Sequence, residues 1–159
     1  MRALWVALAL AAAPDAGTRA VPSRELTQPA RVHADTFLGY GKKQEAEWKG
    51  HVRVDTGTTR MTCDRLKVEY TADQEVTHMR CDGQVEVVDK DKRALGEHAD
   101  FDNAKGVLVM TREPSKVEIW NGKTHLRGQK ATFFTQEDRL DVSGDVETVI
   151  PPAAKDAGR

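Results

Sequence analysis

Along most of this chain apolar and polar residues take turns. "HVRVD" at 51–55, "RLKVEY" at 65–70, "QVEV" at 84–87 and "KVEI" at 116–119 each place an apolar side chain at every second position. A period of two marks a half-buried strand, since successive side chains point to opposite faces of a sheet. Turn-forming residues separate the runs: Asp55-Thr56-Gly57, Thr71-Ala72-Asp73, Asp89-Lys90-Asp91, Asn103-Ala104-Lys105-Gly106, Asn121-Gly122 and Gln136-Glu137-Asp138. Asn121-Gly122 is a strong two-residue hairpin signal, because both residue types tolerate positive φ. No stretch between Pro29 and Ile150 carries a helical period. The pattern predicts an all-β fold of short antiparallel strands, a sandwich or a jelly roll.

The strands also repeat. The first apolar residues of the Val-x-Val pairs Val52/Val54, Val85/Val87 and Val117/Ile119, with Val146 as a remnant, are separated by 33, 32 and 29 residues. A second marker, Phe37, Tyr70, Phe101 and Phe133, recurs at steps of 33, 31 and 32. Two markers with one period define an internal repeat of about 32 residues. A single unit offers one apolar strip that it cannot bury alone, so stacked units should join their strips into a continuous trough. The expected inward residues are Val52, Val54, Leu66, Val68, Tyr70, Val85, Val87, Phe101, Val117, Ile119, Phe133, Leu140 and Val146, with Arg53, Lys67, Glu69, Glu86 and Glu118 facing water. Gly50, Gly83 and Gly144 recur just before these valines and should mark bends where the sheet folds over.

Composition narrows the class. The chain has 159 residues, 39% apolar and 31% charged, with a net charge of −1. That balance gives no electrostatic basis for a nucleic-acid partner. The first residues, "MRALWVALALAAAPDAG", place Arg2 ahead of an eleven-residue apolar run from Ala3 to Ala13. Such a run suits an export signal over residues 1–13, with cleavage after Ala11 favoured, better than a membrane span. An uncleaved anchor is the alternative. Residues 14–29 hold three prolines and read as an extended leader, 30–150 as the β domain, and 151–159 as a disordered tail behind Pro151-Pro152.

Catalytic chemistry finds little support. The five histidines, His33, His51, His78, His98 and His125, are never closer than eighteen residues, so no His-x-His metal pair exists. His51 precedes an inward valine and should point outward. Asp100/Asp102 and Glu45/Glu47 lack a neighbouring nucleophile or base. No phosphate loop or Gly-x-Ser-x-Gly element occurs, and no enzyme activity, cofactor or metal is implied. The two cysteines, Cys63 and Cys81, form an even pair, which in an exported protein leans toward a disulfide.

With the repeat laid out, the chain resembles the OstA/LptA family of periplasmic lipopolysaccharide-transport proteins. The matching segments are "PARVHADTF", "WKGHVRVDTGTTRMTCDRLKVEY", "MRCDGQVEV", "ALGEHADFD" and "HLRGQKATFF", spread over residues 28–150. The resemblance implies a folded-over antiparallel β-jelly roll open at both ends. It further implies that the acyl chains of lipopolysaccharide lie along the apolar interior, and that partners are jelly-roll proteins of the inner- and outer-membrane parts of the transport machine. A membrane-anchored accessory jelly roll of the same machine and a scaffold without lipid remain alternatives. The family usually has small residues where this chain has Cys63 and Cys81, and a disulfide would explain why both differ together.

Two expectations follow for the ends and the cysteines. Cys63 and Cys81 flank Ala72 symmetrically, nine residues to either side, and would face each other in a hairpin centred there. The first and last strands, expected near Arg31–Thr36 and Asp145–Ile150, would leave unpaired backbone groups with few charges to guard them. Such edges accept another chain by strand addition, and because they differ, self-association would run head to tail.

Overall fold

The computed structural model describes residues 30–152; the stretches expected to form an export signal and a leader, and the expected tail from residue 153, lie outside the described residues. Twelve strands form one antiparallel sheet. They are β1 (Ala30–His33), β2 (Thr36–Tyr40), β3 (Glu45–Thr56), β4 (Thr59–Tyr70), β5 (Val76–Asp89), β6 (Lys92–Asp102), β7 (Val107–Thr111), β8 (Val117–Asn121), β9 (Thr124–Gly128), β10 (Lys130–Phe134), β11 (Arg139–Ser143) and β12 (Glu147–Val149). The only helical piece among the described residues is a 3-10 turn, Gly41–Lys43.

The strands are not all short, as the turn spacing had suggested. β3 to β6 run for 11 to 14 residues, and each is broken in the middle by a bulge. Between Lys49 and Val52 the register of β3 slips against β4, and between Asp82 and Val85 that of β5 slips against β6. The slips fall at the recurring glycines. Gly50, Gly83 and Gly144 have φ of 80, 84 and 79°, and the residue after each, His51, Gln84 and Asp145, has φ of 47, 49 and 47°. Two consecutive left-handed residues cannot continue a flat ladder, so the strand turns a corner there. Glycine is also required sterically: a Cβ at Gly50 would strike Asp35, and one at Gly83 would strike Asp64. The Asp of the recurring Ala/Cys-Asp pair is thus packed over the next unit's glycine.

All the corners fall on one line, the crease, and the sheet folds over it into two layers. Layer one holds β1, the C-terminal half of β3, the N-terminal half of β4, the C-terminal half of β5, the N-terminal half of β6, then β8, β9 and β12. Layer two holds β2, the remaining halves of β3 to β6, then β7, β10 and β11. Opposite the crease the layers end in hairpin tips that no backbone connects; this open long side is the mouth. One ion pair, Lys92 Nζ to Asp138 Oδ1 at 3.4 Å, reaches across it.

The hairpin tips fall at or beside the expected turn residues, several of which end the preceding strand. Asn121 is the last residue of β8, and the two-residue loop is Gly122-Lys123, with φ of 60° at Gly122. The loops Gly57-Thr58 and Lys90-Asp91 share this form, with positive φ at the first loop residue.

Candidate functional site: the interior between the layers

Cross-strand register sorts the inward side chains into rows parallel to the crease. Nearest the crease, layer two lines up Phe37, Trp48, Leu66, Cys81, Ala99, Met110, Ala131 and Val142. Layer one answers with Val52 beside Cys63, Val85 beside Gly96 and Val117 beside Gly128. One step closer to the mouth, layer one presents Val32, Val54, Met61, Val87, Ala94, Ile119 and Leu126. Layer two presents Ala46, Val68, Met79, Phe101, Leu108, Phe133 and Leu140.

The two sets differ in access. Within the crease row Val52, Leu66, Cys81, Val85, Met110, Val117 and Ala131 are at most 1% exposed. Its packing is tight enough that a Cβ on Gly96 would come within 3.0 Å of Met110 Cε. In the mouth row Val54, Val68, Ala94, Phe101 and Ile119 are buried, while Met61, Met79, Val87, Leu108, Leu126, Phe133 and Leu140 are only half-buried. No polar or charged residue is buried among the described residues. The interior is therefore a dry apolar seam that becomes accessible toward the mouth.

Most expected inward residues fall in these rows. Val52, Leu66, Val85 and Val117 sit at the crease, and Val54, Val68, Val87, Phe101, Ile119, Phe133 and Leu140 near the mouth. Tyr70 continues the alternation of Leu66 and Val68 and is half-buried at the end of β4. Val146 departs from the expectation. It precedes β12, outside the ladder, and is 48% exposed, with no strand among the described residues covering that end. The alternation pattern missed the small and flexible inward residues Ala46, Ala94, Ala99, Ala131, Met61, Met79 and Met110. Their signal was position within a two-residue period, hidden by weak hydrophobicity or by short strands.

Cys63 and Cys81 are bonded, and the Cα atoms are 5.9 Å apart. They are not opposite each other in a hairpin centred on Ala72, as symmetry had suggested. The β4–β5 connection is asymmetric: Tyr70 pairs with Val76, Leu66 with Cys81, and Cys63 with Val52 of β3. The bulge between Thr62 and Arg65 puts Cys63 on the layer-one side of the crease and Cys81 on the layer-two side.

Charge stays outside. On the outer faces Asp55 accepts from Arg60 Nε and Arg53 Nε, both at 2.8 Å, and the bond from Arg60 does most to hold its carboxyl below the usual range. Arg80 grips Asp100, which also contacts His78. The expected outward His51 has a 92% exposed side chain and shares a 2.8 Å hydrogen bond with Asp35 across the crease, which raises its pKa above the ordinary 6.5. No group of His, Cys, Asp or Glu among the described residues is arranged to hold a metal. Three shallow depressions lie at the hairpin tips and near Pro114, with polar linings such as Asp55, Arg60, Glu86 and Lys90.

Among the described residues both ends of the sheet are uncovered. At one, β1 and β2 each pair only with β3; at the other, β11 pairs only with β10 and β12 only with β9. The first edge is therefore two strands broken at Ala34-Asp35, where a single strand over Arg31–Thr36 had been expected. Phe37, Leu38 and Tyr40 are 59, 44 and 42% exposed at one edge, and Val149 and Ile150 are 53 and 74% exposed at the other.

A folded-over sheet with a dry seam and two open edges has a counterpart among families of known proteins. Residues 31–139 match the family model described as LptA/(LptD N-terminal domain) LPS transport protein. The chain belongs to that family. Among solved structures it is similar to LptH of Pseudomonas aeruginosa, described as the LptA-homologous periplasmic component of the lipopolysaccharide transport device. The TM-score is 0.70 at 19% identity, over 79% of this chain and 97% of LptH, a likeness in fold. No curated protein is significantly similar to the chain. Among the described residues no helix is long and apolar enough to cross a membrane.

Proposed function

We propose that this protein is an exported, periplasmic carrier that holds the acyl chains of lipopolysaccharide between its two layers and passes the lipid between the inner and outer membranes. The observation that carries this reading is the mouth row. It is apolar from Val32 to Leu126 in one layer and from Ala46 to Leu140 in the other, and it reaches toward both open edges. A lipid with several acyl chains gains by removing them from water along such a strip, at about 0.8 kcal/mol per CH2 buried. Sugars and phosphates would remain in solvent beyond the hairpin tips.

Within this reading the expected lipid-binding residues divide. Val54, Val68, Tyr70, Val87, Phe101, Ile119, Phe133 and Leu140 contact acyl chains directly. Val52, Leu66, Val85 and Val117 are packed at the crease and support them. Partner jelly-roll domains of the transport device dock on the β1/β2 and β11/β12 edges by strand addition, and a second copy can do the same head to tail. The chain carries out no catalysis.

A photo-crosslinking residue at Val87 or Phe101, expressed in the native periplasm, should capture lipopolysaccharide, whereas the same residue at the outward Glu86 should not. Equal capture at inward and outward positions would exclude the reading.

A further inference from the structure

The Cys63–Cys81 bond lies where it can control how far the layers part. We propose that it is a strut across the inner angle of the crease, fixing the angle between the layers and so the width of the mouth. The proposal rests on the transport reading for its purpose, and on four features of the fold for its mechanics.

The bond does not merely reinforce a ladder already in place. Its two ends lie on opposite sides of the bulge that separates the Thr62/Glu86 pair from the Arg65/Asp82 pair. One sulfur belongs to layer one, beside Val52, and the other to layer two, between Leu66 and Ala99. A covalent link drawn diagonally inside a bend opposes unfolding of that bend directly.

The bond is also central. β4 and β5 are two of the four bent strands shared by both layers, with β3 on one side and β6 on the other. The neighbouring corners, Gly50-His51 and Gly83-Gln84, carry no covalent cross-link and turn through backbone torsions alone.

Leverage makes the angle matter. From crease to hairpin tip the half-strands extend about 16–23 Å, at roughly 3.3 Å per residue. A change of about 10° at the crease would then move the tips by ~3–4 Å, comparable to the thickness of one acyl chain. The packed crease row resists such movement close to the hinge, but at the hairpin tips little does. The mouth is bridged by Lys92–Asp138, with side chains 51% and 90% exposed, a pair too solvated to latch it.

Finally, the strut is buried. Cys63 and Cys81 are 4% and 1% exposed, so the bond lies beneath any lipid held in the mouth row and away from solvent thiols.

The test compares the bonded chain with Cys63→Ala/Cys81→Ala, each carrying iodoacetamide-linked nitroxides at Lys90→Cys and Asp73→Cys, one on a tip of each layer. Electron–electron distance measurements should give a narrow distribution for the bonded chain. In the alanine pair the mean should lengthen by ~3 Å or more and the distribution broaden, by the lever argument. If that pair fails to fold by circular dichroism, Cys63→Ala/Cys81→Val restores core volume without restoring the bond and should behave the same way. The distances require no lipid, so a failure here is separate from a failure of the cross-linking experiment. Superimposable distributions in the bonded and unbonded folded chains would overturn the strut.

Discussion

The crease and the mouth are made by the same strands only a few residues apart, yet they solve different problems. At the crease, small side chains, glycines and a disulfide bring two layers into contact, and Leu66, Met110 and Val117 are at most 1% exposed. Toward the mouth, Met61, Met79, Val87, Phe133 and Leu140 are apolar and packed against the core but only half-buried. One region supplies stability, and the other leaves apolar surface within reach of solvent. On the proposed transport reading the interior must not collapse entirely, and the bent strand permits both regions along one chain.

The sharpest way to break this division is truncation within each row. Leu66→Ala should cost about 2–5 kcal/mol by creating a cavity with no room to relax, measured by denaturant unfolding. Val87→Ala should cost only about 1 kcal/mol while reducing lipid capture. If the two truncations cost the same and neither affects capture, crease and mouth are not distinct regions.

The corners come next. Gly83→Ala should destabilise by about 1–3 kcal/mol, because φ of 84° suits glycine and the new methyl would meet Asp64. Asp64→Gly in that background should recover only the steric part of the loss. Full recovery would mean that backbone strain contributes nothing at the corner.

The open edges set a third comparison. Pairing alternates outward from the closing pair Asn121/Thr124, which leaves Thr148 with its N–H directed away from β9. Thr148→Pro should therefore abolish strand addition at that edge with little change in melting temperature. Light scattering that shows the same association in Thr148→Pro and the parent chain would exclude docking through β12.

The smallest effect concerns pH. The hydrogen bond to Asp35, and then the charges of Asp35 and Asp64, raise the pKa of His51. The sign follows: this contribution is fully present below pH 6.5, the unfolded value, and is lost as pH rises through the higher folded value. The side chain is fully solvated, so the dependence should be slight. His51→Gln should flatten it, and a steeper slope in that variant would place the titrating group elsewhere.

Much of this architecture can be read from the one-dimensional pattern. Period-two alternation, the 32-residue repeat and the turn residues determined an all-β chain with one apolar strip, because side-chain direction along a strand depends only on local backbone geometry. The recurring Gly50, Gly83 and Gly144 were legible as corners for the same reason: an unusual φ is a local demand. Cys63 and Cys81 were legible as a pair, but not in their geometry. Hairpin symmetry placed them face to face in one ladder, whereas the register slip at Thr62/Arg65 set them across the crease. Alanines 46, 94, 99 and 131 gave no signal, since an alanine is as common on a surface as in a core, and only the neighbouring strand decides which it becomes. The division into a packed crease and an accessible mouth likewise belongs to tertiary structure alone. It depends on the distance between two layers, and alternation within a strand carries no information about what lies opposite.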